Sequence, residues 1–184
     1  MTRIIEHALD FISERVMVFS KNQPLDHLLV VEHEIQGVNP RMITWWWGNI
    51  SHTERYKLWH PRDHIYFTWE VPPVKDHVGT IQIVREKIGG IPTTLRIRFD
   101  NPKGIKTRYA HILAGSILDH DDDVIARLTH EYEPAAYGTR MRSTFYLPHL
   151  LYLILHRGLR KHNVEEMASL SRFLPVLYSS KNVS

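Results

Sequence analysis

Residues 148–173, PHLLYLILHRGLRKHNVEEMASLSRF, decide how the rest of the chain is read. Apolar residues recur there every three to four positions, which predicts a long helix with Gly158 inside it. The six segments before it, 64–71, 78–87, 93–99, 107–118, 124–133 and 137–146, alternate with period two instead. Pro72-Pro73, Gly89-Gly90, Asn101-Pro102, the acidic run 119–123 and Pro134 separate them, so they predict strands joined as antiparallel hairpins. A long twisted antiparallel sheet has to bury one face, and the 148–173 helix is the only element large enough to cover it. The expected fold is α+β: a curved antiparallel sheet wrapped around a long C-terminal helix, with a cavity between them.

Upstream, 28–38 alternates as one more strand. Asn39-Pro40 is a good helix start, because Asn caps free N–H groups and Pro fits the first turn. A short helix through Met42, Trp46 and Trp47 is expected to end near Gly48-Asn49. Ser51 is placed to cap a second short helix over 53–58, which Pro61 closes. Residues 4–19 carry helical spacing in Ile5, Ala8, Leu9, Ile12 and Val16 that fits an N-terminal amphipathic helix, while their β-branched residues leave room for a strand near its end. No repeat, low-complexity segment or linker divides the chain, so 1–184 reads as a single domain, with 1–27 an N-terminal extension and 28–184 the core.

A chain of 184 residues with 43% hydrophobic content and scattered charge can bury a proper core, which sets aside disordered and fibrous classes. It has no cysteine, so disulfides, thiolate nucleophiles and cysteine metal sites are excluded, and any metal must be held by His, Asp or Glu. The formal charge of +3 comes from interspersed signs, and the basic stretches 55–62 and 157–161 also carry His and apolar residues. They read as solvated faces rather than a nucleic-acid stripe. Arg3, Glu6, Asp10, Glu14 and Arg15 interrupt the apolar pattern of the first nineteen residues, so no signal-peptide core is expected, and no later run is apolar enough to span a bilayer. The expectation is a cytoplasmic protein with no nucleic-acid or membrane partner, for which a homodimer is admissible.

Thirteen histidines is a high count, but a single histidine is more often a surface or core residue than a ligand, so position must decide. At about 100° per residue, Tyr152, Leu155, Leu159, His162, Glu166, Leu170 and Phe173 fall in one narrow helix sector. Arg157, Arg160, Lys161, Glu165 and Arg172 lie outside it. His162 and Glu166 therefore point where the leucines point, one turn apart, a spacing that lets both reach one metal. Spacing alone also fits a plain surface pair, but an ionised Glu on a leucine face is costly unless it is paired or metal-bound. On the sheet, a hairpin folded symmetrically about Lys75 sets His64 opposite Glu86 on one face. In that register Tyr66, Thr68 and Glu70 share the face of His64, and Val84, Gln82 and Thr80 that of Glu86. A slip by two keeps the pattern, and a cross-strand His–Glu hydrogen bond near the rim is the plainer alternative.

The most distinctive segment is Tyr56-Lys57-Leu58-Trp59-His60-Pro61-Arg62-Asp63-His64. Together with Trp45-Trp46-Trp47, the strand ending in Glu86 and His162-Asn163-Val164-Glu165-Glu166, it resembles the family of 2,4-diacetylphloroglucinol hydrolases and phloretin hydrolases. The resemblance runs from about the first strand to the last helix, and WHPxxH and HxxxE are its specific parts. It implies a Bet v 1-like helix-grip fold, related to the major birch pollen allergen, and a zinc ion held by two His and two Glu. By motif the helix ligands are His162 and Glu166 and the sheet ligands His64 and Glu86, with His60 and Glu70 as rivals on the sheet. The stretch before the first strand is shorter than these hydrolases lead one to expect, so substrate contacts from that part are expected to be absent or replaced.

The implied reaction is metal-dependent hydrolysis of the carbon–carbon bond between an acyl group and a phenolic ring or β-diketone carbon, with a small acyl-phenol or diketone as substrate. The ring carbon leaves as a stabilised carbanion and must be protonated by a general acid. His111, His130, Tyr132 and Tyr137, on predicted cavity-forming strands, are the candidates, and alternation puts His130 and Tyr132 on one face. Trp46, Trp69 and Phe67 read as core or cavity wall, which suits a flat phenolic ligand. The competing class is a metal-free helix-grip carrier or polyketide cyclase, in which His162 and Glu166 form a buried ion pair. Convergence of four ligands separates the two.

Overall fold

The computed structural model describes residues 15, 19–74 and 77–180. The helix expected over 4–19 and the hairpin centre at Lys75 lie outside the described residues, Arg15 and Phe19 apart. The chain runs β1 (His27–Gln36), α1 (Pro40–Asn49), α2 (Thr53–Trp59), β2 (His64–Val71), β3 (Ile81–Ile88), β4 (Ile91–Asp100), β5 (His111–Leu118), β6 (Val124–Ala135), β7 (Gly138–Leu147) and α3 (His149–Ser180). The strands form one antiparallel sheet in the order β1-β7-β6-β5-β4-β3-β2, with α3 packed over one face. Six strands are a meander, and β1 closes onto β7, so the segment between β1 and β2 has to cross from one edge to the other. The two short helices make that crossing. Among the described residues no helix is long and apolar enough to cross a membrane.

Local chemistry accounts for most boundaries. Asn39 caps α1, its Oδ1 accepting from Met42 N at 3.1 Å, and Pro40 opens the first turn. The cap of α2 is His52 rather than Ser51, and it makes no side-chain capping bond; Ser51 Oγ instead pairs with His52 Nδ1. β5 begins at His111 rather than 107, because the N–H groups of Arg108 and Tyr109 turn to the Glu131 carboxylate instead of the ladder. Pro134 does not end β6. At that point β6 has run past β5 and pairs only with β7, so a residue without an N–H is tolerated.

The last helix also outruns the expected end at 173, continuing through Pro175 to Ser180. The proline removes one helical hydrogen bond, and packing outweighs it: Leu174 is fully buried and Tyr178 sets its ring edge-on against Trp45 of α1. Earlier in α3, Gly158 lies against the β3–β4 turn, where a Cβ would stand 2.6 Å from the Cα of Gly89. The glycine pair brings helix and turn into backbone contact, which sets the depth of α3 in the sheet.

The β2–β3 pairing carries the main correction to the sequence reading. His64 does lie opposite Glu86, but a bulge follows at once, so that Tyr66 pairs with Arg85, Phe67 with Val84 and Trp69 with Gln82. The extra residue reverses the alternation. Phe67 turns inward and is buried, whereas Tyr66 and Glu70, expected on the face of His64, are exposed. Thr80, Gln82 and Val84 are buried with Glu86, as the alternation of β3 requires.

Candidate metal centre

The segment between α2 and β2 is fixed before it delivers any functional side chain. Trp59 is buried edge-on to Trp46 and Trp47, and its carbonyl accepts from Ser169 Oγ of α3. His64 N donates to the His60 carbonyl at 2.9 Å, and Lys87 N donates to the Asp63 carbonyl at 2.9 Å, tying the segment to the end of β3. His64 thereby enters the sheet directly beneath α3. There it meets Glu86 from β3, and His162 and Glu166 from consecutive turns of the helix.

These four side chains are all buried and offer ligand atoms within 4.8 Å of one another. His64 Nε2 is 2.9 Å from Glu166 Oε1 and 3.3 Å from Glu86 Oε2, and His162 Nε2 is 3.4 Å from each of those oxygens. Ligands with bonds of about 2.0–2.1 Å to one tetrahedral ion stand about 3.3 Å apart, and these four separations lie near that spacing. His64 Nδ1 donates to the Tyr56 carbonyl at 3.1 Å, leaving Nε2 toward the carboxylates as a ligand nitrogen requires. Both ring nitrogens of His162 are buried without a hydrogen bond. With neutral imidazoles the quartet carries two negative charges, the complement of a divalent cation, so the donor set fits such an ion.

Without a cation the same cluster balances itself with protons. Burial works against an imidazolium, but the hydrogen bonds and charges of Glu166 and Glu86 outweigh it at His64 and push it up to about 9. At His162 the facing carboxylates overcome burial more strongly and raise it to about 11. Burial likewise opposes ionisation of Glu86 and Glu166, and the two histidines override it, holding both carboxyls below their usual range.

The rivals on the sheet fall elsewhere. Glu70 faces solvent and pairs with Arg96 at 2.7 Å. His60 is buried, but its ring stacks on His162, centroids 4.7 Å apart, and its Nε2 meets Glu165 Oε2 at 3.0 Å on the far side. Asp63 Oδ2 lies 3.6 Å from His162 Nδ1, at the back of that ring.

Glu86, His162 and Glu166 open onto a cavity of about 120 Å³ between sheet and helix. Its walls are apolar, with Ile97, Leu113 and Phe145 among them, and Trp47 and Trp59 add flat aromatic surface. Of the candidate acids only His130 lines it, stacked on Trp47 with Nδ1 2.8 Å from Ser143 Oγ. Tyr132 is buried on the same face, but its hydroxyl is engaged by Thr44 at 2.8 Å. His111 pairs with Tyr132 at the end of the sheet, where it is exposed. Tyr137 sits at the β6–β7 turn, its carbonyl taken by Gly37 N. Both fall outside the cavity because the strands run past it.

Sequence reasoning passed over Tyr56, His33, Ser143 and Asn163 as functional residues. For His33 a signal existed, since it shares the β1 phase of Val31 and Ile35, both buried. Ser143 and Asn163 carried none: a serine in a strand and an asparagine beside His162 become informative only when other elements reach them.

A family model described as DAPG hydrolase PhiG domain matches residues 27–155, a span that holds His64, Glu86 and His130 and ends before His162 and Glu166. Among solved structures, the NMR solution structure of the KanY protein (ms6282) aligns with a TM-score of 0.59 at 11% identity, covering 82% of this chain and 98% of that one. Protein Ms6760 from Mycobacterium smegmatis aligns at 0.55 and 13% identity over 82% and 92% of the two chains. Ara h 8.0201 aligns at 0.52 and 10% identity over 82% and 99%. At such identities the likeness is one of fold, and the fold is the Bet v 1-like helix grip. No curated protein sequence matches the chain.

Proposed function

The chain belongs to the DAPG hydrolase PhiG domain family, and from that premise we propose that it hydrolyses the carbon–carbon bond between an acyl group and a phloroglucinol-type ring or β-diketone carbon, with a divalent metal, zinc, held by His64, Glu86, His162 and Glu166. The observation that carries the proposal is the convergence of these four buried side chains at the wall of an aromatic-lined cavity. When bound, the ion would supply a Lewis acid and lower the pKa of water. In the reaction, hydroxide adds to the acyl carbon, the bond to the ring breaks, the acyl group leaves as a carboxylic acid, and the ring carbon takes a proton.

The protein's own part is positioning, exclusion of water and proton delivery. Tyr56 orients one ligand of each type, donating to Glu86 Oε2 at 2.8 Å and accepting from His64 Nδ1. The indoles of Trp47 and Trp59 and the apolar walls suit a flat ring and keep bulk water from it. With Nδ1 engaged by Ser143, His130 offers Nε2 to a ligand in the cavity and is the general acid of this proposal.

The test is a panel of acylphloroglucinols and related diketones, with acid release followed by chromatography for metal-loaded wild type and Glu86→Gln. Acid release by wild type and its loss in the variant is the expected result. Binding of such compounds without acid release, with metal fully loaded, would replace the hydrolase reading with that of a carrier or cyclase.

A further inference from the structure

Behind His130 stand two polar side chains in sequence, Ser143, which touches it, and His33, which touches Ser143. Ser143, on β7, is fully buried, and its Oγ lies 2.8 Å from His130 Nδ1 and 3.2 Å from His33 Nε2. His33 Nε2 also lies 2.9 Å from Asn163 Oδ1. An amide oxygen only accepts, so His33 carries its proton on Nε2. The Ser143 hydroxyl then has that N–H on one side and can donate to His130 Nδ1 on the other. His130 is left with its proton on Nε2, the nitrogen available to the cavity. His33 belongs to β1, an edge strand, and is partly exposed, so the row of groups runs from solvent to the cavity wall.

We propose that His33 and Ser143 form a proton relay that resupplies His130 from solvent as His130 protonates the ring carbon left by the departing acyl group. The proposal rests on the hydrolase reading above. The step balances. The carbanion's electron pair takes the Nε2 proton of His130, and His130 Nδ1 takes the hydroxyl proton of Ser143. Ser143 Oγ takes the Nε2 proton of His33, and His33 Nδ1 takes a proton from water. Both imidazoles end as neutral tautomers, and one solvent proton has moved to carbon. The need for a relay follows from where His130 sits: burial pushes it down to about 4, with Glu166 opposing the fall and His33 adding to it, so at neutral pH it has no second proton of its own to give. A neutral imidazole can release its Nε2 proton at low cost only if Nδ1 is refilled.

The relay is tested by two readouts on the metal-loaded, full-length protein. In ¹⁵N NMR of labelled histidines, wild-type His130 is expected as the Nε2–H tautomer with a hydrogen-bonded Nδ1, and that bond is expected to vanish in Ser143→Ala. A wild-type His130 protonated on Nδ1 overturns the relay. In acylphloroglucinol hydrolysis, Ser143→Ala is expected to lower kcat about 10²-fold with KM little changed. Should that variant not fold, His33→Gln on the edge strand is expected to show the same loss, partly restored by added imidazole. An active wild type with kcat unchanged in either folded variant overturns the relay and leaves the hydrolase reading standing. A metal-loaded wild type that releases no acid overturns the hydrolase reading and the catalytic role of the relay together.

Discussion

Tyr56 and His64 lie face to face, ring centroids 3.8 Å apart and planes 7° from parallel, while the Tyr56 hydroxyl reaches past the imidazole to Glu86 Oε2 at 2.8 Å. One residue of a seven-residue helix thus holds a histidine by its backbone carbonyl and ring and a glutamate by its hydroxyl. Burial and the neighbouring Glu86 carboxylate raise the phenol well above its usual range, so it remains a donor at any working pH.

Tyr56→Phe keeps the ring stack and removes only the hydroxyl. Loss of such an outer partner is expected to weaken metal affinity about 10- to 100-fold with the fold intact, measured by competition with a chromophoric chelator. Unchanged affinity would show that Glu86 holds its position without Tyr56.

Protein purified without added zinc is expected to carry one divalent ion per chain by elemental analysis. His162→Ala with Glu166→Ala should abolish it, and Glu86→Gln should reduce it. Glu70→Gln should leave it untouched, because Glu70 faces solvent and pairs with Arg96. Full metal retention in the double variant would refute the assignment of the helix pair.

Metal-free protein should show a pH-dependent stability set by the cluster. His64 and His162 have folded values near 9 and 11 against an ordinary 6.5, so their contribution is fully present below pH 6.5 and lost as pH rises through 9 and then 11. Glu86 and Glu166 are lowered from 4.5, so theirs is present above that pH and lost only in acid. The chelator-treated melting temperature should therefore fall between pH 6.5 and 9. With metal in place of the two protons, affinity should rise over the same range and the fall should be offset. A metal-free melting temperature that is flat from pH 6.5 to 9 would contradict this account.

Gly158→Ala sets two effects against each other. Alanine gains about 1 kcal/mol over glycine in a helix interior. Its Cβ, however, would stand 2.6 Å from the Cα of Gly89, a backbone atom that cannot rotate away, and overpacking of that kind costs about 1–3 kcal/mol. Displacement of α3 should also shift His162 and Glu166, which begin one turn on. The expected outcome in denaturant titration is a net loss of up to about 2 kcal/mol with weaker metal binding. A stabilised variant would show that helix and turn can separate without harm.

Period and spacing are local properties, and the features that depend on them alone were legible in the sequence. Period two over six segments followed by a helical stretch specified the sheet and its cover. The i,i+4 spacing on the leucine sector placed His162 and Glu166 together, and hairpin symmetry set His64 opposite Glu86. What the sequence could not express is a one-residue insertion in a ladder: the bulge after His64 sends Phe67 inward and Glu70 outward, because packing of Phe67 against Tyr56 of α2 overrides the alternation. Nor could it separate His130 from His111, since both lie on cavity-forming strands and differ only in how far along the sheet they stand. The row from His33 through Ser143 to His130, with Asn163 beside it, draws on β1, β7, β6 and α3. Residues that distant in sequence acquire a shared chemistry only when the edge strand closes onto β7 and the helix settles against both.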